Sequence, residues 1–124
     1  MAKKIDYVEG VNYETAGLYT LAMYGPLEAF LEKYDKSKLN EQNRYGFSLL
    51  HEALSGHKWD IAEFLINEGI DINLKDSGGN TALHYLCDTN DITQAITTAK
   101  HIVHEFTVQM LLHLKVVMQQ KVGF

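Results

Sequence analysis

The sequence is poor in the residues that mark secreted, disulfide-stapled or membrane-spanning proteins. Its one cysteine, Cys87, cannot form an internal disulfide, so the sequence predicts a reducing intracellular compartment, which is most simply the cytoplasm. Its one proline, Pro26, leaves long helices permitted elsewhere. No long apolar run suggests a transmembrane helix, and the charged N-terminus has no signal-peptide core, so we expect no membrane partner.

Clustered positive charge is also lacking. The chain has 11 Lys and Arg against 16 Asp and Glu, a formal net charge of −5, and its basic residues are scattered. Because phosphate binding depends on clustered Lys and Arg, we expect no nucleic-acid partner, and the acidic balance favours a basic protein partner. With 46% apolar and 22% charged residues, the composition is that of a folded globular domain.

What the sequence does contain is a repeat with a period of 33 residues. The repeated positions carry turn, capping and apolar residues: Asn43, Gly46, Ser48, Leu50 and His51 in one copy match Asp76, Gly79, Thr81, Leu83 and His84 in the other. Leu39-Asn40 and Ile72-Asn73 keep the same spacing. A period of this length is typical of repeat architectures that stack one supersecondary unit on the next.

The local chemistry of one copy predicts a turn followed by two helices. Gly46 suits a turn position with positive φ, and Ser48 suits a helix N-cap before an apolar run. Apolar residues at helical spacing predict a first helix over 49–55 and a second over about 59–68. Gly69 then ends the second helix, and the return loop that follows points Ile70 and Ile72 inward.

The order Gly46-x-Ser48-x-Leu50-His51-x-Ala53, Asp60-Ile61 through Leu65-Ile66, and Gly69-Ile70-Asp71-Ile72-Asn73 resembles the ankyrin repeat. Gly79-Asn-Thr81-Ala-Leu83-His84 resembles the opening of the next repeat, although both copies lack the usual proline after the Ser or Thr. The resemblance implies an all-α ankyrin-repeat solenoid, in which helix-turn-helix units are joined by hairpin-like loops. It also implies that the rings of His51 and His84 hydrogen-bond the turn backbone and the neighbouring repeat.

We expect residues 1–124 to form one domain. Residues 13–42 are interpreted as a degenerate first repeat, with Leu18, Leu21 and Ala22 on its first helix, a turn at Gly25-Pro26, and Leu27, Phe30, Leu31 and Tyr34 as the apolar stripe of its second helix. Residues 43–75 are a full repeat, residues 76–91 the start of a third, and residues 92–124 an atypical C-terminal helix or cap. Terminal repeats are expected to be atypical because one of their faces meets water.

The C-terminal third departs from the repeat. Apolar residues spaced by three and four predict a long amphipathic helix that Asp88, Asn90 or Asp91 could cap: Ile92, Ile96, Ala99, Val103, Phe106, Met110 and Val117. His113 is the one polar residue at a position where this spacing expects an apolar one. Three roles remain open for this helix: a cap on the last repeat, a homodimer contact through residues 92–118, or an unnatural tail. A strand over 107–118 is a further alternative.

The function that the resemblance implies is protein binding, and we expect neither catalysis nor a cofactor. Stacked repeats present their turn tips and first helices on one concave face, and eight residues are expected to contact a partner there: Arg44, Tyr45, Phe47, Glu52, Ser77, Asn80, Tyr85 and Asp88. Phe47 could instead pack over the neighbouring tip. His101 and His104 offer a remote metal-binding alternative, and we expect Cys87 to be buried as a small apolar residue.

Overall fold

The structure is a computed structural model that describes residues 17–122, with side chains to residue 120; positions 13–16, 123 and 124 of the expected elements lie outside it. It contains helices α1 (Leu18–Tyr24), α2 (Leu27–Lys33), α3 (Leu49–Ser55), α4 (Trp59–Asn67), α5 (Ala82–Leu86) and α6 (Ile92–Val122), and a 3-10 turn over Lys36–Lys38. Within 17–122 there is no β-strand, and one isolated antiparallel bridge joins Gln42 to Ser48. The predicted all-α class is therefore confirmed.

The helices stack in two layers. In the first layer α3 packs between α1 and α5, and in the second α4 packs between α2 and α6. The side chains between the layers form one core, whose fully buried members include Leu21, Phe30, Leu49, Ile61, Leu65, Ile66 and Ile102. This arrangement is the predicted ankyrin solenoid, and it aligns the turn tips before α3 and α5 on one side.

The two copies of the repeat begin their helices in the same way. Ser48 Oγ accepts a hydrogen bond from the backbone N–H of His51 at 3.2 Å, and the Ser48 N–H donates to His51 Nδ1 at 2.9 Å. The N–H of Thr81 likewise donates to Nδ1 of His84, at 3.0 Å. These bonds satisfy backbone groups that a helix N-terminus leaves unpaired, so the predicted caps are confirmed.

Glycines occupy the positions where the chain must take positive φ. Gly46 and Gly79 have φ of 81° and 80° in the turn tips, and Gly69 has φ of 88° after α4. Helix α4, the second helix of the repeat over 43–75, ends at Asn67, one residue earlier than predicted, with Glu68 as its C-cap. The following Ile70 is buried as expected.

The first helix pair matches its prediction except at Leu31. Leu21, Ala22 and Phe30 are buried, whereas Leu31 is exposed, so its place on the inward stripe was wrong. The reason is that α2 lies at the end of the second layer, where its contacts with the other described helices are mainly to α1 and α4, and the Leu31 side faces solvent.

Helix α6 is continuous from Ile92, so the strand alternative over 107–118 was wrong. Asp91 caps it, with its Oδ1 accepting from the Gln94 N–H at 3.1 Å. Its first turns pack against α4 as α4 packs against α2, through Thr98 and Ile102. A hydrogen bond reinforces this contact, because His101 Nδ1 lies 2.6 Å from Glu63 Oε2.

The face of α6 that docks on α4 is not the predicted apolar stripe. This stripe is here named the α6 stripe and consists of Ile92, Ile96, Ala99, Val103, Phe106, Met110 and Val117. Ile96, Val103, Phe106 and Met110 are all exposed, and from residue 106 to residue 120 every side chain except that of Val117 is exposed. The helix therefore projects beyond the repeats with its apolar side chains uncovered. Among residues 17–122, no helix combines the length and apolarity needed to cross a bilayer.

Cys87 is exposed, so the expectation that it packs in the interior was wrong. It follows the five-residue helix α5 as its C-cap, where the chain already turns toward α6, and its Sγ lies 3.5 Å from the carbonyl oxygen of Leu83.

Candidate protein-binding face

The two turn tips are joined to each other by hydrogen bonds. Gln42 Nε2 donates to the carbonyl of Gly46 at 2.8 Å and to that of Lys75 at 2.7 Å. The N–H of Ser77 donates to the Tyr45 carbonyl at 3.1 Å, and the Ser77 hydroxyl donates to the same oxygen. The tips approach so closely that a Cβ on Gly46 would lie 2.7 Å from the Ser77 nitrogen. Their relative position is therefore fixed.

An acidic or amide side chain organises each tip internally. Asn43 Oδ1 accepts from the N–H groups of Tyr45 and Phe47, both at 3.0 Å. Thirty-three residues later, Asp76 Oδ1 accepts from the N–H groups of Gly78 and Asn80, both at 2.9 Å. This shared geometry is the physical reason for the Asn43/Asp76 match in the repeat.

His51 links the second unit to the third. Because its Nδ1 accepts from the Ser48 N–H, its Nε2 carries the proton and donates to the carbonyl of Asn80 at 2.9 Å. Burial lowers the pKa of His51, which keeps the ring in this neutral form. The bond to the neighbouring repeat that the resemblance implied is thus present at His51.

A row of rings crosses the face from the first tip to α5. The ring centroids of Tyr45 and Phe47 lie 6.3 Å apart, those of Phe47 and His51 6.3 Å, and those of His51 and Tyr85 4.9 Å. The Arg44 guanidinium carbon lies 4.9 Å from the centroid of the Tyr45 ring, within cation–π range. Tyr45 is 53% exposed, so the row ends in a large aromatic side chain open to solvent.

The far end of the row carries negative charge. The Tyr85 hydroxyl donates to Asp76 Oδ2 at 2.6 Å, and this bond, with the Asn80 and Gly78 donors, lowers the pKa of Asp76 to about 2. Burial and the bond to Asp76 raise the pKa of Tyr85. Burial also raises the pKa of nearby Glu52. Asp76 is therefore ionised throughout the physiological range.

The eight residues expected to contact a partner fall into two groups. Arg44, Tyr45, Ser77 and Asp88 are exposed, whereas Phe47, Glu52, Asn80 and Tyr85 are half-buried. The tips bring Tyr45 and Ser77 together, and Tyr85 and Asp88 line a depression of about 270 Å³ at the end of the first helices. Phe47 packs between the Tyr45 and His51 rings.

Two residues of this face were not anticipated as parts of it: His51 and Asp76. His51 and Asp76 belong to the 33-residue repeat, which predicted their capping and turn roles. The repeat did not predict the ring contact of His51 with Tyr85 of the next unit, or the bond from Tyr85 to Asp76 within that unit. Gln42 joins the two tips, but the repeat does not mark it, because the position 33 residues later is Lys75 and not a matching residue.

The histidines of α6 were the remote metal-binding alternative. His101 is engaged by Glu63 and lies 3.9 Å from Glu105 Oε1, whereas His104 is exposed. Within the part of the chain that the structure describes, no three His, Cys, Asp or Glu side chains form a group that could hold a metal ion.

Comparisons with known proteins agree with this geometry. A family model described as "Ankyrin repeats (many copies)" matches residues 31–86. This chain contains ankyrin repeats. It is 35% identical over 74 residues to the RelA-associated inhibitor of Mus musculus, covering 60% of this chain and 9% of that protein. It is 33% identical over 67 residues to the NF-kappa-B inhibitor alpha of Gallus gallus, covering 54% and 21%.

A viral protein is also similar over a shorter stretch. A putative ankyrin repeat protein of Fowlpox virus (strain NVSL) is 64% identical over 28 residues, which is 23% of this chain and 6% of that protein. The chain thus spans less than a quarter of the length of each of these relatives.

Proposed function

We propose that this ankyrin-repeat chain binds another protein through the face formed by its turn tips and first helices, and acts by binding rather than by catalysis. The observation that carries the proposal is the row of rings from Tyr45 to Tyr85, because it presents an exposed aromatic on a rigid support. Exposed aromatics and Arg on a preorganised surface are typical interface anchors.

The same face supports a partner with basic residues. Glu52, Asp76 and Asp88 place carboxyl groups on one side of the ring row, and the whole chain has a net charge of −5. Arg44 and Tyr45 lie at the opposite end of the row. Such a face suits a segment that pairs Lys or Arg with the acidic end and an apolar or aromatic residue with Tyr45, in a reducing intracellular compartment.

Two relatives are named as inhibitors, and their names supply the mode of action that we propose. An ankyrin face that occupies a surface of its partner can block that surface without any reaction. The ionisable side chains of this face support binding without a reaction. Tyr85 and Asp76 are hydrogen-bonded to each other, and both ring nitrogens of His51 are hydrogen-bonded to backbone groups.

The test is site-specific photo-crosslinking in cells that express the chain. A photoreactive phenylalanine analogue at Tyr45 is expected to crosslink a partner protein, and the same analogue at Asn67, exposed at the end of α4, is not. With the partner purified, Tyr45→Ala should weaken binding at least about 30-fold, which corresponds to roughly 2 kcal/mol. Asn67→Ala should change it less than twofold. Crosslinks from position 67 alone, or equal affinities, would refute the proposed face.

A further inference from the structure

The projecting half of α6 and the open end of the repeat stack are two parts of one apolar surface. An apolar groove of about 390 Å³ lies between α5 and α6, lined by Leu83, Leu86 and Cys87 on one side and Ile92, Ile96 and Ala99 on the other. The α6 stripe leaves this groove and continues through Val103, Phe106 and Met110. The surface therefore has a groove half, along residues 92–99 of α6, and a free-helix half, along residues 106–117.

We propose that this surface binds a second copy of the chain, with the two α6 helices antiparallel and each free half lying over the groove half of the other copy. The two-fold axis passes near residue 108, midway between Ala99 beside the groove and Val117 in the free half. In this register Phe106 faces Met110 of the second copy, and Ala99 faces Val117. A two-fold axis of this kind closes the assembly at a dimer.

The charges along α6 permit this pairing. No Asp, Glu, Lys or Arg occurs from residue 106 to residue 114. At 100° per residue, Glu105 and Lys115 lie on the side of the helix away from the α6 stripe. Two copies can therefore bring their stripes together without placing like charges opposite each other.

The area approaches what a stable dimer needs. Contact over residues 96–117 is about 30 Å long at 1.5 Å per residue. The exposed apolar side chains of the groove and the stripe that this contact covers are Leu83, Cys87, Ile96, Val103, Phe106 and Met110, and Ala99 and Val117 are half-buried. At on the order of 80 Å² for each exposed side chain, and less for the two half-buried ones, they give about 550 Å² per copy, near the lower limit of roughly 600 Å² per partner for a standard interface. A patch of this size is at the upper end of what monomers usually expose.

The test is the mass of the full chain by sedimentation equilibrium across a concentration series, with a matched pair of variants. The expected mass is twice the monomer mass of 14.1 kDa. Met110→Glu places a charge in the α6 stripe and should weaken dimerisation at least tenfold. Leu112→Glu is the control, because Leu112 is similarly exposed (60% against 56%) but lies on another side of the helix, and it should leave the dimer intact.

The antiparallel register has its own readout. Spin labels at Gln119, in a Cys87→Ser background, should lie more than about 30 Å apart, since 22 residues of helix rise separate the two sites; a parallel pair would bring them within about 15 Å. A short distance, a monomer at every concentration, a dimer that survives Met110→Glu, or equal weakening by both glutamates would overturn the proposal. The last result would instead indicate nonspecific association, or a different protein as the natural occupant.

Discussion

His51 is the residue whose protonation state matters most for the link between the second and third units. In the folded chain it is buried and neutral, with its Nε2 proton donated to Asn80, and burial lowers its pKa below the ordinary value of 6.5. The unfolded chain therefore binds a proton at a higher pH than the folded chain does. The stability that neutral His51 contributes is therefore fully present above about pH 6.5, and it is lost as the pH falls toward and through the folded-state pKa of His51.

We expect urea unfolding at pH 7.5 and pH 5.5 to show lower stability at the acidic value, and His51→Gln to reduce that difference. At pH 7.5 the substitution should cost about 2 kcal/mol, because it leaves the Ser48 N–H and the Asn80 carbonyl without their partner. His84→Gln is the control, since His84 makes the same contact to Thr81 but is exposed. An undiminished pH effect in His51→Gln would assign it to another group.

How much of the candidate face was predictable also depends on individual residues. The tips and the first-helix positions could be predicted from the repeat. The reason is that the turn hydrogen bonds of Asn43 and Asp76, and the capping bonds of Ser48 and Thr81, go to residues no more than four positions away in the chain. The Tyr85–Asp76 bond and the His51–Tyr85 ring contact could not be predicted in the same way. The ring contact depends on how two units are placed relative to each other, and the Tyr85–Asp76 bond depends on where the Tyr85 side chain points within one unit. Local turn and capping chemistry specifies neither.

At the scale of one helix, α6 carries a polar group that its packing does not satisfy. Thr98 is fully buried against α4, and its hydroxyl finds no hydrogen-bond partner among the described residues. A buried hydroxyl without a partner costs roughly 1–3 kcal/mol. Thr98→Val keeps the shape and removes the hydroxyl, so we expect it to stabilise the chain by about 1 kcal/mol.

The measurement is the free energy of unfolding in urea, with Thr97→Val as the matched control. Thr97 is the neighbouring residue, is exposed, and its hydroxyl donates to the Thr93 carbonyl at 3.0 Å, so its substitution should be neutral within about 0.5 kcal/mol. Should Thr98→Val prove destabilising, the hydroxyl must be satisfied in solution.

The start of α3 and the end of α4 were predictable because Ser48 caps α3 and Gly69, with positive φ, follows α4. The side of α6 that docks was not, for a physical reason. Small and medium side chains at Ala95, Thr98 and Ile102 let α6 approach α4 closely, while the more apolar α6 stripe lies to one side and stays exposed. Hydrophobic periodicity identifies a helix and its apolar side, but it does not choose between two faces that could both be covered.

At the scale of the whole molecule, the first turns of α6 pack on the repeat stack and the rest of the helix projects into solvent. The last fully buried core residue is Ile102, and beyond residue 105 every described side chain except Val117 is exposed. Two shortened chains separate these parts. Measured at concentrations where the full chain is monomeric, a chain of residues 1–106 should unfold with a free energy within about 0.5 kcal/mol of the full chain, because it loses only surface contacts.

A chain of residues 1–91 should behave differently, because it uncovers the α4 face on which Thr98 and Ile102 pack. Losing the buried Ile102 side chain costs about 2–5 kcal/mol, and the chain also loses the buried Thr98 and the half-buried Ala95 and Ala99, against a total stability of roughly 5–15 kcal/mol. We expect this chain to be largely unfolded, as measured by circular dichroism and urea titration. If residues 1–91 fold as stably as residues 1–106, α6 is an appendage throughout its length and the core ends at α5. If residues 1–106 fail to fold, the exposed half of α6 is needed by the monomer itself, and its apolar surface must be covered within one chain.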